Sequence, residues 1–550
     1  MINKPFEAIV VGSGATGGIA ALTLAEAGVK VLVVESGPKL SPSEALGNEP
    51  NKTFQRIYGL LSGSKSKQAQ HPGYWKSNPN LYIDERNHPY ITPKKRPYIW
   101  TQGQQVGGRS LTWGGITLRF SKEDFKASRK DKYGPEWPIE YSDLSPHYSH
   151  IEKLLKIHGN KDNLIQLPDG EYLPPLPFTE IERNFIKEVK SKLGYKVIHS
   201  RGFDLHPSNK KNKWPKSSSL GSSLKKAIST GNVEILSNHI VEHIVLKSDQ
   251  EIAKGVVVVN RINGERKELE SSLIVLCAST LNTNKILLNS LRSHREDGFL
   301  DPSGKLGQGI MDHISICRFF SVPIHKSAKS SNETKNLHLS GAGSFFIPFG
   351  SPIQHSYKPD FIRGYGIWGG IDRFGSPKWL ESITSKKLGF LIAHGEVLSK
   401  SSNKISLSEK YDKWGIPIPL IDCKWSQNEL SMSKHMKKTI HEIIESFGGE
   451  ILSLEKLEGN NLLKTFLNKI LALNEGAPPP GYYIHEVGGA PMGDDENDSV
   501  VTRNNALWRC RNVLIADGAC WPTSSWQSPT LTMMAIARRA CLEAIRTRGD

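Results

Sequence analysis

The stretch FEAIVVGSGATGGIAALTLAEAGVKVLVVESG, residues 6–37, decides the fold. Residues 8–11 read as a buried strand, an alanine-rich helix follows, and residues 29–34 read as a second strand ending at Glu35. Between the first strand and the helix stands Gly12-x-Gly14-x-x-Gly17, and each glycine has its own reason to be there. Gly12 permits the tight turn, Gly14 lets a pyrophosphate approach the backbone, and Gly17 lets helix and strand pack closely. The helix N-terminus stabilises phosphate charge. Glu35 is placed to accept from ribose hydroxyls, and its negative charge disfavours a 2′-phosphate. This unit predicts a bound dinucleotide, NAD or FAD rather than NADP, on a parallel α/β sheet.

The rest of the chain bounds what surrounds that unit. At 550 residues it exceeds what one hydrophobic core usually serves, so two domains are expected, possibly interleaved in sequence. The net charge of +16 comes from Lys and Arg that are spread along the chain, with the densest runs at residues 92–97 and 208–226. No nucleic-acid motif accompanies them, so they read as a solvated basic surface, compatible with an acidic partner protein. The six cysteines are scattered without a C-x-x-C pair, which indicates neither zinc nor an iron–sulfur cluster. No apolar run approaches the roughly 18 residues that would span a membrane, and no signal peptide is visible, so a cytoplasmic location is expected.

A second glycine-rich stretch, VGGRSLTWGGITLRF at residues 106–120, lets backbone lie flat against a planar ligand, with Trp113 as a wall. Taken alone it is equally a simple glycine loop. Together with other segments it resembles the glucose–methanol–choline (GMC) oxidoreductases, the FAD-dependent alcohol-oxidising family. The resemblance takes in residues 236–246, with Val241 on the adenine side; residues 271–290, a strand, small-residue turn and helix; residues 304–315; and residues 405–426. At the C-terminal end it is nearly continuous, through HEVGGAPMGDDENDSVV from residue 485 and NVLIADGACWPTSSWQSPTLTMMAIARRA from residue 512.

The resemblance implies a Rossmann-like FAD-binding domain interleaved with a mostly antiparallel substrate domain. Residues 1–45, 100–135, 225–312 and 480–550 would form the first, residues 136–224 and 313–479 the second, and residues 46–99 a lid. It implies that Val106, Gly107, Gly108, Ser110, Trp113, Gly114, Asp517 and Gly518 join Gly12, Gly14, Gly17, Glu35 and Val241 in holding FAD. It also implies that His485 is the general base, a role suited to an imidazole near neutrality. Pro529, at a first helical position, and the N–H of Thr530 would meet the edge of the flavin that becomes negative on reduction.

Two departures from the family pattern are visible. Ser528 stands where a second active-site histidine or asparagine is usual, with Gln527 beside it as another candidate to hold the substrate hydroxyl. Thr112 stands where pyranose-type members carry a flavin-linking histidine, so FAD is expected to be dissociable. Other histidines, among them His239, His243, His313 and His394, lack comparable context and read as surface, core or supporting residues. The expected substrate is a sugar, polyol or sugar acid, with Trp368, Trp379 and Trp414 able to stack on a sugar ring. Electrons would leave to a quinone, a cytochrome or small-subunit partner, or oxygen. A flavin-binding protein without turnover is the alternative that Ser528 suggests.

Overall fold

The computed structural model describes residues 6–46, 51–204, 213–247, 251–294, 300–322, 339–350, 359–373, 387–452 and 476–549. Strand β1, Ala8–Val11, helix α1, Ala15–Glu26, and strand β2, Val31–Val34, form as the sequence predicts, the second strand starting two residues later. All eight strand residues are buried, because both faces of this parallel sheet are covered. β1 lies between β2 and the strand Leu273–Leu276, and the parallel core continues to Val233–Leu236 on one side and Cys510–Ile515 on the other. Short segments between residues 492 and 507 extend it to eight strands.

Over this unit stands a six-stranded sheet in which every pairing is antiparallel, built from Ile198–His199, Ile314–Val322, Phe345–Gly350, Tyr365–Ile371, Lys387–Gly395 and Glu450–Ile451. The helix Gln427–Ser446 lays Met432, Met436, Ile440 and Ile443 against it. A four-stranded sheet that includes Gln308–Met311 and Val487–Gly489 joins the two layers. The architecture is the expected α/β one: a Rossmann-like layer interleaved in sequence with a mostly antiparallel sheet.

Helix Tyr141–Leu155 comes from a segment read as part of the substrate domain, yet it packs on the C-terminal helix, Thr530–Gly549. Tyr148 Oη and Thr532 Oγ1 lie 2.8 Å apart there. Among the described residues no helix is long and apolar enough to cross a membrane. Trp379 and part of the basic run at 208–226 lie outside the described residues.

Candidate active site

The two layers enclose a cavity of about 940 Å³. That is the upper end of the range for small-molecule sites. The glycine loop forms one end. Gly12 has φ +100°, and a side chain there would meet Cys277 O at 2.3 Å. A Cβ on Gly17 would lie 1.9 Å from Gly12 O, so this glycine serves helix–strand packing. Gly14 differs, because its Cβ direction meets nothing within 4 Å although the residue lines the cavity. Gly114, in the second glycine stretch, is open in the same way. These two positions form a cradle for a ligand that lies close on backbone.

Glu35 also lines the cavity and accepts from Ser13 N–H at 3.1 Å, Ser13 Oγ–H at 2.6 Å and Gly37 N–H at 2.9 Å. Ser36 Oγ–H at 3.2 Å is a fourth donor, so the roughly four acceptor sites of the carboxylate are all used within the protein, and a ribose hydroxyl would have to take the place of one of these donors. Gly108, Ser110, Trp113, Val241, Asp517, Gly518, Ser528, Pro529 and Thr530 all line the same cavity. Val106 and Gly107 stand one layer back, where the Gly107 N–H donates to Ser13 Oγ at 2.9 Å and ties the two glycine stretches together. Trp113 is held by its indole N–H on Ser217 O at 3.1 Å. Asp517 accepts from Thr283 Oγ1 at 2.6 Å and from the Ala519 N–H at 2.9 Å, and burial raises its pKa to about 6. The C-terminal helix begins at Thr530, one residue later than read from sequence, and Pro529 accepts its first backbone bond, from Met533 N–H at 2.9 Å. The donor set and the open glycines fit a dinucleotide.

At the other end His485 reaches the cavity wall. Its backbone is clamped: Asp312 accepts from the N–H of His485 at 2.8 Å and of Tyr483 at 3.2 Å. Between them Ile484 is held at φ +64°, a conformation that a β-branched residue rarely adopts. Such strain costs on the order of 1–3 kcal/mol and persists where the surroundings impose it. Burial and the neighbouring Glu486 push the Asp312 pKa up to about 7.

The ring of His485 is oriented by His313. His313 Nε2 lies 2.5 Å from the Ser525 carbonyl, which can only accept, so Nε2 carries the proton. Burial lowers the His313 pKa to about 4, so at neutral pH its Nδ1 is a bare acceptor. His485 Nδ1, 2.9 Å away, must then be the donor. The Nε2 of His485 is left with its lone pair. Burial first, then His313, His394, Arg109 and His71, hold the His485 pKa well below its ordinary value, so the ring is neutral. His394, fully buried, stacks on Tyr483 with centroids 5.0 Å apart and lies 5.3 Å from the His313 ring. From the sequence His313 and His394 read only as surface, core or supporting histidines, with no link to His485. His313 stands in the quoted segment at 304–315, but its contact with His485 spans 172 residues.

Gln527 does not join this group. Its amide donates to Asp124 Oδ2 at 2.8 Å and to Gln166 O at 3.1 Å, and its side chain is buried away from the cavity. The reading of Gln527 as a substrate contact is therefore corrected: a carboxylate buried beside it claims the amide. Trp414 is corrected likewise, since it is buried against Val259 and Ile416 and its indole N–H is spent on Arg261 O at 3.1 Å. Trp368 does line the cavity, its indole N–H on Tyr483 Oη at 2.9 Å. Arg109, unremarked in the sequence, lines it too, paired with Glu486 at 2.8 Å.

A parallel sheet carrying the glycine cradle, an antiparallel sheet roofing the cavity and a neutral histidine in its wall fit a dinucleotide-dependent oxidoreductase. Residues 6–315 and 399–537 both match profiles described as GMC oxidoreductase, and the chain belongs to that family, whose cofactor is FAD. It is an FAD-dependent enzyme acting on CH–OH donors. The chain is 24% identical to the 2-methyl-1,2-propanediol dehydrogenase of Mycolicibacterium austroafricanum, over 97% of this chain and 94% of that one. It is 25% identical to the fructose dehydrogenase large subunit of Gluconobacter japonicus, over 98% of both. The solved formate oxidase of Aspergillus oryzae RIB40 superposes with a TM-score of 0.65 at 14% identity, covering 99% of this chain and 98% of that one, a likeness of fold.

Proposed function

We propose that this protein oxidises a secondary or primary alcohol of a sugar, polyol or sugar acid, with His485 as the base that takes the hydroxyl proton. The observation that carries this reading is the tautomer chain from the Ser525 carbonyl through His313 to His485, which leaves Nε2 of His485 as an unprotonated acceptor in a cavity-lining residue. FAD, when bound, would supply the acceptor for the hydride, which carries both electrons of the oxidation. Gly14, Glu35, Gly108, Ser110, Trp113, Gly114, Val241, Asp517, Gly518, Pro529 and Thr530 would hold it. The start of the C-terminal helix offers N–H groups without helical partners and the positive end of the helix dipole to charge that develops nearby. Ser528 lines the cavity and offers a short hydroxyl to the substrate oxygen.

The proposal includes dissociable FAD, since Thr112, whose hydroxyl donates to Arg109 O at 3.3 Å, stands where a linking histidine would be needed. It includes a quinone or a protein partner as electron acceptor in preference to oxygen, supported by the dehydrogenases among the relatives and by the designation of one as a large subunit. A cytoplasmic location is part of it, and six unpaired cysteines suit a reducing compartment.

The test is anaerobic addition of a sugar, polyol and sugar-acid panel to purified FAD-loaded protein. One class of compound should bleach the flavin absorbance. His485→Ala should retain the flavin and lose the bleaching by a factor of about 10²–10⁴, the usual contribution of a general base. Rapid bleaching in that variant would remove His485 from the role.

A further inference from the structure

The six-stranded sheet turns one pleat face to the cavity. Strand Ile314–Val322 contributes Ser315, Cys317 and Phe319 to the lining, Lys387–Gly395 contributes Phe390 and Ile392, and Tyr365–Ile371 contributes Trp368. The residues that alternate with them, Ile316, Ile367, Leu391 and Ala393, are buried on the other face, in the core shared with the helix Gln427–Ser446. Apart from Lys387 at one strand end, the residues of these three strands that are only partly covered are Cys317, Phe319, Trp368 and Ile392. All four line the cavity. They belong to the roofing sheet, whereas Gly14 and the start of the C-terminal helix belong to the parallel layer beneath.

Strand register sets this face out in rows. Ser315 pairs with His394, Ile392 lies between Cys317 and Trp368, and Phe319 pairs with Phe390. The first row adjoins the base, since His394 lies 5.3 Å from the ring of His313, which touches His485. Two residues of β rise separate successive rows, so the third stands roughly 14 Å from the first. The rings join into one wall: Trp368 lies 4.9 Å from Phe390, and Phe390 lies 6.4 Å from Phe319. Past the first row this wall offers a ligand almost nothing polar. Ile392, Phe319 and Phe390 have no hydrogen-bonding side-chain atom, Cys317 has only a weak thiol, and the indole N–H of Trp368 is spent on Tyr483 Oη at 2.9 Å. The proton transfer assigned to His485 uses none of these side chains.

A hydroxyl turned to such a wall gives up water and gains no partner, which is costly. An apolar group laid there removes its own surface and that of the wall from water together. One hexose ring seated at His485 is too short to cover the outer row. We propose that the sugar oxidised here is a glycoside with an apolar alkyl or aryl aglycone, which lies against Trp368, Ile392, Phe390 and Phe319 while an alcohol of the sugar meets His485. This rests on the alcohol-oxidation reading above and narrows it.

The test compares methyl and phenyl β-D-glucoside, with the galactoside pair beside them, sugars alike except for the group on the anomeric oxygen. In anaerobic reduction of the FAD-loaded enzyme, kcat/KM for the phenyl glycoside should exceed that for the methyl glycoside by about tenfold or more, which burial of one aromatic ring supplies. Ile392→Thr puts a hydroxyl in the middle row on a side chain that stays β-branched, and Phe319→Leu takes a ring from the outer row. Each should pull the ratio toward one by raising KM for the phenyl glycoside. Equal use of the two glycosides, use of the free sugars alone, or a ratio unchanged in both variants would overturn the assignment while leaving alcohol oxidation standing. Failure of every alcohol in the wider panel to reduce the flavin would overturn both.

Discussion

The two ends of the cavity are built in different ways. At the cofactor end the working groups are backbone: Gly12 turns, Gly17 packs, Gly14 and Gly114 leave space, and a helix start points inward. At the substrate end the working groups are side chains brought together from far apart: His313 from the junction of two sheets and His485 from the C-terminal segment. A backbone site is a local property, set by what a few consecutive residues allow. A side-chain site is a property of the assembled fold, and it fails in a different manner when broken.

The largest effects should separate the two kinds of glycine. Gly14→Val points a side chain into open space, so the apoprotein should fold and melt cooperatively while its FAD-to-protein ratio falls toward zero. Gly17→Val puts a branched side chain 1.9 Å from Gly12 O and should cost soluble protein instead. If both variants lose folding together, or both keep FAD, the division of roles within the loop is wrong.

At the other end, His313→Phe keeps an aromatic ring but removes the acceptor that sets the His485 tautomer. Flavin reduction by substrate should slow by roughly 10²-fold, within the range of general-base effects. The loss should lie in kcat, with KM little changed, because the ring orients the base and does not bind the substrate. A change confined to KM would reassign His313 to binding.

Gln527 gives a smaller and purely structural contrast. Gln527→Leu strips a partner from the buried Asp124 carboxylate and should destabilise by about 1–3 kcal/mol, read as a lowered midpoint in denaturant, with flavin reduction nearly unaffected. A large loss of rate in a stable protein would return it to the active site. Ser528→Ala should do least. One neutral hydrogen bond is worth about 0.5–1.5 kcal/mol, so kcat/KM should fall by about tenfold at most.

Legibility followed the same division. The strand–glycine–helix unit, with Glu35 at the end of its second strand, and the helix start behind Pro529 were readable because each is written in a few dozen consecutive residues at most. His485 was readable only through a family resemblance, and its neighbours were not, since nothing local marks His313 or His394 as more than core histidines. Gln527 shows the reverse failure: its place beside Ser528 suggested a substrate contact, but Asp124, some four hundred residues earlier, claims its amide.

The central claim is that a neutral, oriented His485 takes the substrate proton. Its most direct test is the rate of anaerobic flavin reduction by substrate as a function of pH. The active form is the unprotonated ring, and burial together with His313, His394, Arg109 and His71 facing it makes the protonated form costly. The rate should hold steady as pH falls to the ordinary histidine value of about 6.5 and decline only at lower pH, and this limb should vanish along with the rate in His485→Ala. A decline centred above about 6.5, or a rate that rises as the solution is made more acid, would contradict the account.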